Sequence, residues 1–241
     1  MTEQEKKELQ ERVKSVIERV NNAAVQAGRD PSEITLVAAT KMNDAERVQA
    51  AIEAGIRVCG ENRVQELQEK YEQDAYDGAD VQFIGTLQTN KVKQVVGKAA
   101  LIHSVDSQRL LQAIDSQAGK LGLVQDILLE VNIAGEESKG GCTPQEAEEL
   151  AALAEGMDHV RLRGLMAIPP VSPEPGANRP FFAAMRQLFV DIKGKMAHNQ
   201  DDMDCLSMGM SGDYADAIAE GSTLVRVGTA LFGPRPPMTK Q

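Results

Sequence analysis

The sequence predicts an α/β protein, a single (β/α)8 barrel of the TIM type. Three observations carry this reading. Eight short apolar runs, rich in β-branched residues, alternate along the chain with helical patterns. That alternation calls for parallel strands joined by crossover helices. The length, 241 residues, is close to the ~250 residues typical of such a barrel. No linker divides the chain, so residues 1–241 read as one domain, with 1–28 as a helix packed on the barrel and 234–241 as a short tail. An open doubly wound sheet is the rival arrangement, because it uses the same alternation.

The opening segment is amphipathic, with Leu9, Val13, Val16, Ile17 and Val20 at helical spacing. Thr2 with Glu5 forms a capping-box pattern, and Gly28 stands where the helix should stop. After Pro31 the run Ile34–Ala39 is short, apolar and β-branched, and reads as the first buried strand. Further strands are expected at Ile56–Cys59, Val81–Ile84, Ala100–His103, Gln125–Ile133, Val160–Ile168, Met203–Ser207 and Thr223–Val227. Helices are expected between them at Asp44–Ala54, from Asn62, and at Asn90–Lys98, Ser107–Lys120, Pro144–Glu155, Phe181–Ala197 and Tyr214–Glu220. No long helix follows the last strand, which leaves a flank for the N-terminal helix to cover. The proline-rich stretch Ile168–Pro180 reads as a long loop after the sixth strand, on the face where barrel sites are built.

Composition narrows the function. Lys and Arg total 26 against 36 Asp and Glu, a net charge of −10. This balance disfavours non-specific nucleic-acid binding and docking on anionic membranes. No run approaches the ~20 apolar residues of a membrane span, and the polar start MTEQEKKELQERVK lacks the apolar centre of a signal peptide. Cys59, Cys142 and Cys205 are far apart and form no CxxC pair, so neither a disulfide framework nor a zinc ribbon is expected. A reducing, cytoplasmic home fits that usage. No HExxH, no Ser/His/Asp order and no metal-spaced cluster stands out, and no metal site is expected.

In a barrel the C-terminal strand ends carry the site. Thr40-Lys41 ends the first strand. A lysine anchored there is partly desolvated, which favours a neutral amine able to attack a carbonyl. The plain alternative is a strand-end lysine whose stem reaches solvent. Ser207 to Asp213 is a glycine-rich turn entering a helix, and Gly228-Thr229 closes the eighth strand. Phosphate sites in barrels are often built from the loops after strands seven and eight, although turn glycines and capping hydroxyls look the same. Arg226, inside Leu224-Val225-Arg226-Val227, needs either a structural partner or a ligand. Asn62 could simply cap the next helix with Gln65. His103 ends the fourth strand, on the side where a site would lie, whereas His159 and His198 look like surface positions.

These joins resemble one family, the pyridoxal phosphate-binding proteins of the YggS/PROSC type, also called PLP homeostasis proteins. The resemblance rests on VAATK ending at Lys41, GENRVQE at Gly60–Glu66, FIGTLQTNK at Phe83–Lys91 and HSVDS at His103–Ser107. It continues in VNIAGEESKGG at Val131–Gly141, RGLMAIPP at Arg163–Pro170, LSMGMSGD at Leu206–Asp213 and GSTLVRVGTALFG at Gly221–Gly233. It implies a barrel like the N-terminal domain of alanine racemase, with pyridoxal 5'-phosphate held as a Schiff base on Lys41. It also implies a phosphate site at Ser211, Gly212, Gly228 and Thr229 with Ser207 nearby, Asn62 and Met166 along the cofactor, and Arg226 toward the ring nitrogen. The role implied is storage and delivery of this vitamin B6 cofactor, with PLP-dependent apo-enzymes as recipients and an indirect effect on amino-acid and keto-acid balance. Two positions depart from the family pattern. Thr86 stands where a histidine is common, and Lys41-Met42-Asn43-Asp44 lacks a second lysine.

A PLP-dependent racemase or decarboxylase is the alternative within the same cofactor chemistry. The only tyrosines are Tyr71, Tyr76 and Tyr214, and two-base machinery for racemisation is not evident among them. A cofactor-free aldolase acting on a phosphosugar through Lys41 is a third reading. A monomer is the simpler expectation for a chain with no added domain.

Overall fold

Strand formation follows the β-branched runs, and the strands close on themselves. In the computed structural model β1 is Thr35–Ala39, β2 Val58–Glu61, β3 Asp80–Phe83 and β4 Leu101–Val105. The others are β5 Gln125–Glu130, β6 Val160–Met166, β7 Cys205–Met210 and β8 Leu224–Val227. All pair in parallel in chain order, and β8 returns to β1 with Thr35 opposite Leu224 and Val37 opposite Arg226. The barrel is therefore closed, and the open-sheet rival is set aside. The structure describes residues 1–136, 139–170, 172, 174–198 and 200–233. The tail expected at 234–241, residues 137 and 138 of the 136–141 loop, and residues 171 and 173 of the proline-rich stretch lie outside the described residues.

The helices α2 Ala45–Glu53, α3 Val64–Glu72, α4 Gln108–Leu121, α5 Pro144–Glu155, α6 Arg179–Lys195 and α7 Tyr214–Ala219 ring the strands, and a short α8, Thr229–Phe232, follows β8. The first helix, α1 Glu3–Gln26, packs on α2, α7 and α8. Its capping box forms: the Thr2 hydroxyl accepts from the Glu5 amide at 3.2 Å, and the Glu5 carboxylate accepts from the Thr2 amide at 2.7 Å. Leu9, Val13, Val16, Val20 and Ala24 are buried on one stripe. Burying each large side chain of that stripe is worth about 1.5–3 kcal/mol. Arg29, just past the helix, donates to the carbonyls of Ile218 and Ser222 at 3.0 and 2.6 Å and ties α1 to the turn before β8.

Three expectations are corrected. The helix read at Asn90–Lys98 is a 3-10 helix, Thr89–Gln94. Val92 and Val95 are both buried and three residues apart, which suits a three-residue repeat, and β-branching weakens the α-helical alternative. Strand β5 stops at Glu130 rather than Ile133. Val131 bridges to Cys142, the Asn132 amide donates to the Cys142 carbonyl at 2.8 Å, and the Asn132 side chain ties Glu136. Strand β7 runs past Ser207 to Met210, with a register shift against β8 and Gly209 at φ +91.

The barrel interior forms a separate apolar cluster of Val37, Val58, Ile84, Leu101, Leu128, Met166 and Leu224. The larger cluster lies between strands and helices. Among the described residues no helix is long and apolar enough to cross a membrane, and no group of three or more His, Cys, Asp and Glu could hold a metal ion. Burial pushes all three thiols up to about 12, with Glu61, a backbone hydrogen bond and Asp204 as secondary influences at Cys59, Cys142 and Cys205 respectively. None of the three is therefore a thiolate near neutral pH.

Candidate functional site

The C-terminal mouth of the barrel gathers most of the residues singled out above. Lys41 stands just past β1, after Thr40, in a tight turn. Met42 takes φ +63, and the Asn43 side chain donates to the Lys41 carbonyl at 3.1 Å. Asn43, where the family pattern differs, is thus part of the turn itself, while Thr86, the other departure, is exposed. Beside the turn opens a cavity of about 350 Å³ whose walls include Lys41, Arg47, Gly228 and Thr229.

The turns after β7 and β8 meet each other. The Gly228 amide donates to the Ser211 hydroxyl at 3.4 Å and the Thr229 hydroxyl donates to it at 3.3 Å. At Gly212 an added Cβ would meet nothing within 4 Å, so the space above its backbone is open. Asp213 fixes the turn from below: its carboxylate accepts from the Met210 amide at 2.7 Å and from the Asn178 side chain at 2.8 Å. Two hydroxyls and two glycine backbones thus share one shelf, a cradle of the kind that anions occupy.

Under the mouth a chain of buried polar groups crosses the barrel. The Arg226 guanidinium donates to the Ser207 hydroxyl and, at 2.9 Å, to the Ala167 carbonyl. Ser207 in turn donates to His103 Nδ1 at 3.0 Å, and His103 Nε2 donates to the Gln82 side-chain oxygen at 2.7 Å. The directions follow from the ends, because Arg226 only donates and the Gln82 oxygen only accepts. Burial, with Arg226 adding repulsion, holds the His103 pKa well below its usual value, so the imidazole is neutral. Burial also lowers Arg226 to about 10, with Glu130 and Asp213 pulling it back up. It remains a cation near neutral pH. Glu130, at the end of β5, is pushed up to about 7 by burial and by Asp106, against the pull of Arg226.

Asn62 does not cap α3. The cap position is Arg63, which makes no side-chain bond there, and the Asn62 Oδ1 is buried with no hydrogen-bond partner among the described residues. The chain reaches this geometry because residue 85 is glycine: a Cβ there would stand 2.0 Å from the Asn62 carbonyl oxygen. Met166 is fully buried in the interior cluster. Lys41, Ser211, Gly212, Gly228 and Thr229 therefore collect at the ends of β1, β7 and β8. Ser207, Arg226 and Met166 lie within the barrel, and Asn62 follows β2. Glu130 and Gln82 carry no sequence-level assignment. Their signal is parity, since each falls on an inward position of its strand beside a buried apolar neighbour.

The alanine racemase N-terminal domain family matches residues 15–236. A pyridoxal phosphate homeostasis protein of Aquifex aeolicus is 43% identical over 227 residues, 93% of this chain and 97% of its own length. The chain belongs to the pyridoxal phosphate homeostasis protein family. A solved structure from Bifidobacterium adolescentis is similar with a TM-score of 0.91 at 37% identity, over 96% of this chain and 97% of that one. PipY of Synechococcus elongatus, solved with PLP bound, is similar with a TM-score of 0.79 at 31% identity, over 93% of this chain and all of its own, a coverage of 100%. The closed parallel barrel and the motif resemblance thus agree.

Proposed function

We propose that this chain binds pyridoxal 5'-phosphate reversibly on Lys41 and serves its intracellular homeostasis, storing it and delivering it to apo-enzymes that use it. The observation that carries this reading is that Lys41 and the Gly228-Thr229 turn line one cavity. The PLP-bound PipY structure supports it from outside the chain. The residues present fit the group. The shelf of Ser211, Gly212, Gly228 and Thr229 suits a phosphate, and the buried Asn62 amide oxygen, without a partner among the described residues, could accept from a ring hydroxyl.

When bound, the cofactor supplies an aldehyde with which an amine can condense. Lys41 provides that amine. Ser211 and Thr229 would offer hydroxyls, and Gly212 and Gly228 backbone amides, to the cofactor's phosphate, with Ser211, Gly228 and Thr229 giving up the contacts they now make with one another. Asn62 and Met166 would lie along its ring. Arg226, buried and cationic, opposes protonation of a ring nitrogen it meets. An unprotonated ring is a poor electron sink, which favours carriage over amino-acid turnover. A reducing, cytoplasmic home fits the three free thiols, of which Cys59 and Cys142 are buried, and a monomer fits a single barrel domain.

The test is the visible absorption spectrum of the purified protein with added PLP, before and after borohydride, with peptide mass mapping. The expected result is a reducible band with the adduct on Lys41, lost in Lys41→Ala while the circular dichroism is retained. An unchanged reducible chromophore in Lys41→Ala, or no uptake of PLP at all, overturns the reading. Exchange of an amino acid's α-proton at an enzymatic rate would favour a racemase or decarboxylase instead.

A further inference from the structure

Behind the Lys41 turn sits a buried cluster of charges that the proposed binding site does not use. Glu61, the last residue of β2, is fully buried. Its Oε1 accepts from the Thr40 hydroxyl at 2.6 Å, from the Lys70 ammonium at 2.6 Å and from the Tyr76 hydroxyl at 3.1 Å. The Lys70 ammonium also donates to the Thr40 carbonyl at 2.8 Å and lies 3.7 Å from Glu66 Oε2. That same Glu66 oxygen accepts from the Met42 amide at 2.7 Å. The residue before Lys41 is thus held by its hydroxyl and its carbonyl, and the residue after it by its amide.

Such an arrangement is costly as packing. A buried ion pair is often no more stable than apolar side chains of similar size, and its better-attested use is to fix geometry. Two features point the same way here. Glu61 concentrates its donors on one oxygen and leaves Oε2 buried without a partner among the described residues, so the carboxylate is oriented toward Thr40 rather than toward full satisfaction. Met42 is held at φ +63, a conformation that non-glycine residues adopt only when their surroundings impose it. The Glu66 carboxylate on its amide is such a constraint.

We infer that Glu61, Lys70 and Glu66 are positioning residues, a clamp that sets the backbone on both sides of Lys41 and thereby governs how readily its amine condenses with an aldehyde. The inference rests on the proposed binding of PLP at Lys41. In the step concerned, the Lys41 nitrogen forms a C=N bond with the aldehyde carbon. The carbonyl oxygen departs as water with the two amine protons. A clamp of this kind acts on the approach of the nitrogen and leaves the phosphate shelf untouched, since the shelf is built from the turns after β7 and β8.

The experiment compares two ligands on the parent protein, Glu66→Ala and Glu61→Gln. PLP carries the aldehyde; pyridoxine 5'-phosphate has the same ring and phosphate but an alcohol in its place. Imine formation is followed by stopped-flow absorbance and fixed with borohydride, pyridoxine phosphate affinity by calorimetry, and folding by circular dichroism. Glu66→Ala should slow imine formation about tenfold, within the range that small misplacements of a reacting group produce. Its affinity for pyridoxine phosphate should stay within about twofold of the parent. Glu66 is partly exposed, so this variant folds even if Glu61→Gln does not. A parent that forms the Lys41 adduct while both folded variants match its rate overturns the clamp alone. Equal losses for both ligands also overturn it, because that is general loosening. A parent that forms no adduct overturns the binding reading and the clamp with it.

Discussion

Ser207→Ala tests the polar chain across the barrel. Ser207 and His103 are fully buried, and Arg226 is 5% exposed. The hydroxyl does two things at once, accepting from the guanidinium and donating to His103 Nδ1. Losing a hydrogen bond to a charged group costs about 1.5–3 kcal/mol, and leaving the imidazole nitrogen unmet adds ~1 kcal/mol. The expected loss is about 3 kcal/mol, read as a fall of ~1 M in the urea midpoint of the cofactor-free protein. Arg226→Met removes the cation that Ser207 serves. If the chain is one unit, the double variant should be more stable than the sum of the single losses predicts, by at least ~1 kcal/mol. Additivity within ~0.5 kcal/mol would refute the reasoning, because the two side chains would then be independent neighbours.

Glu130→Gln should change the pH dependence of stability. The folded carboxyl, at about 7, keeps a proton between pH 4.5 and 7 that the unfolded chain releases. Stability from this group is therefore lost as pH rises through that window, by about 3 kcal/mol at ~1.4 kcal/mol per pH unit. The parent minus Glu130→Gln difference in urea midpoint should decline from pH 4.5 to 7, and a flat difference sinks the assignment. His103 runs the other way. The unfolded chain takes up a proton as pH falls below the usual histidine value of 6.5 and the buried ring does not, so His103→Gln should lessen the loss of stability on acidification, as thermal melts at pH 7 and 5 would show. Gly85→Ala should cost more than ~3 kcal/mol, since its Cβ would collide with the Asn62 carbonyl at 2.0 Å, whereas Gly122→Ala, at φ +66 in open space, should cost ~1 kcal/mol. Equal melting temperatures for the two would contradict that account.

The architecture was legible because strand and helix periods alternate without interruption, and because Lys41, Ser211 and Thr229 fall at strand ends where barrels place chemistry. Arg226 was legible as a charge inside an apolar strand. Its partners were not. Ser207 and His103 lie on β7 and β4, and only closure of the barrel brings them together. Lys70 was hidden for a different reason. On a polar helix with Glu66 and Glu69 it reads as a solvated face, yet it turns inward to Glu61. Glu130 was absorbed into a strand drawn three residues too long, which blurred its inward parity. The 3-10 helix at Thr89–Gln94 was missed because valines spaced three and four apart satisfy both helix types until Gly97 ends the segment.

The place of α1 has a consequence for how this chain is made. Its apolar stripe docks on α2, α7 and α8, and β1 finds its second neighbour only in β8. Segments at the front of the barrel therefore complete their contacts only with segments far later in the chain. During translation α1 can form locally, but Leu9, Val13, Val16 and Val20 remain uncovered on the α7–α8 side until α7 and α8 have left the ribosome. Such sequence-distant closure makes folding slow and keeps sticky surface in view. Chains stalled before β8 should be far more prone to proteolysis than the finished barrel.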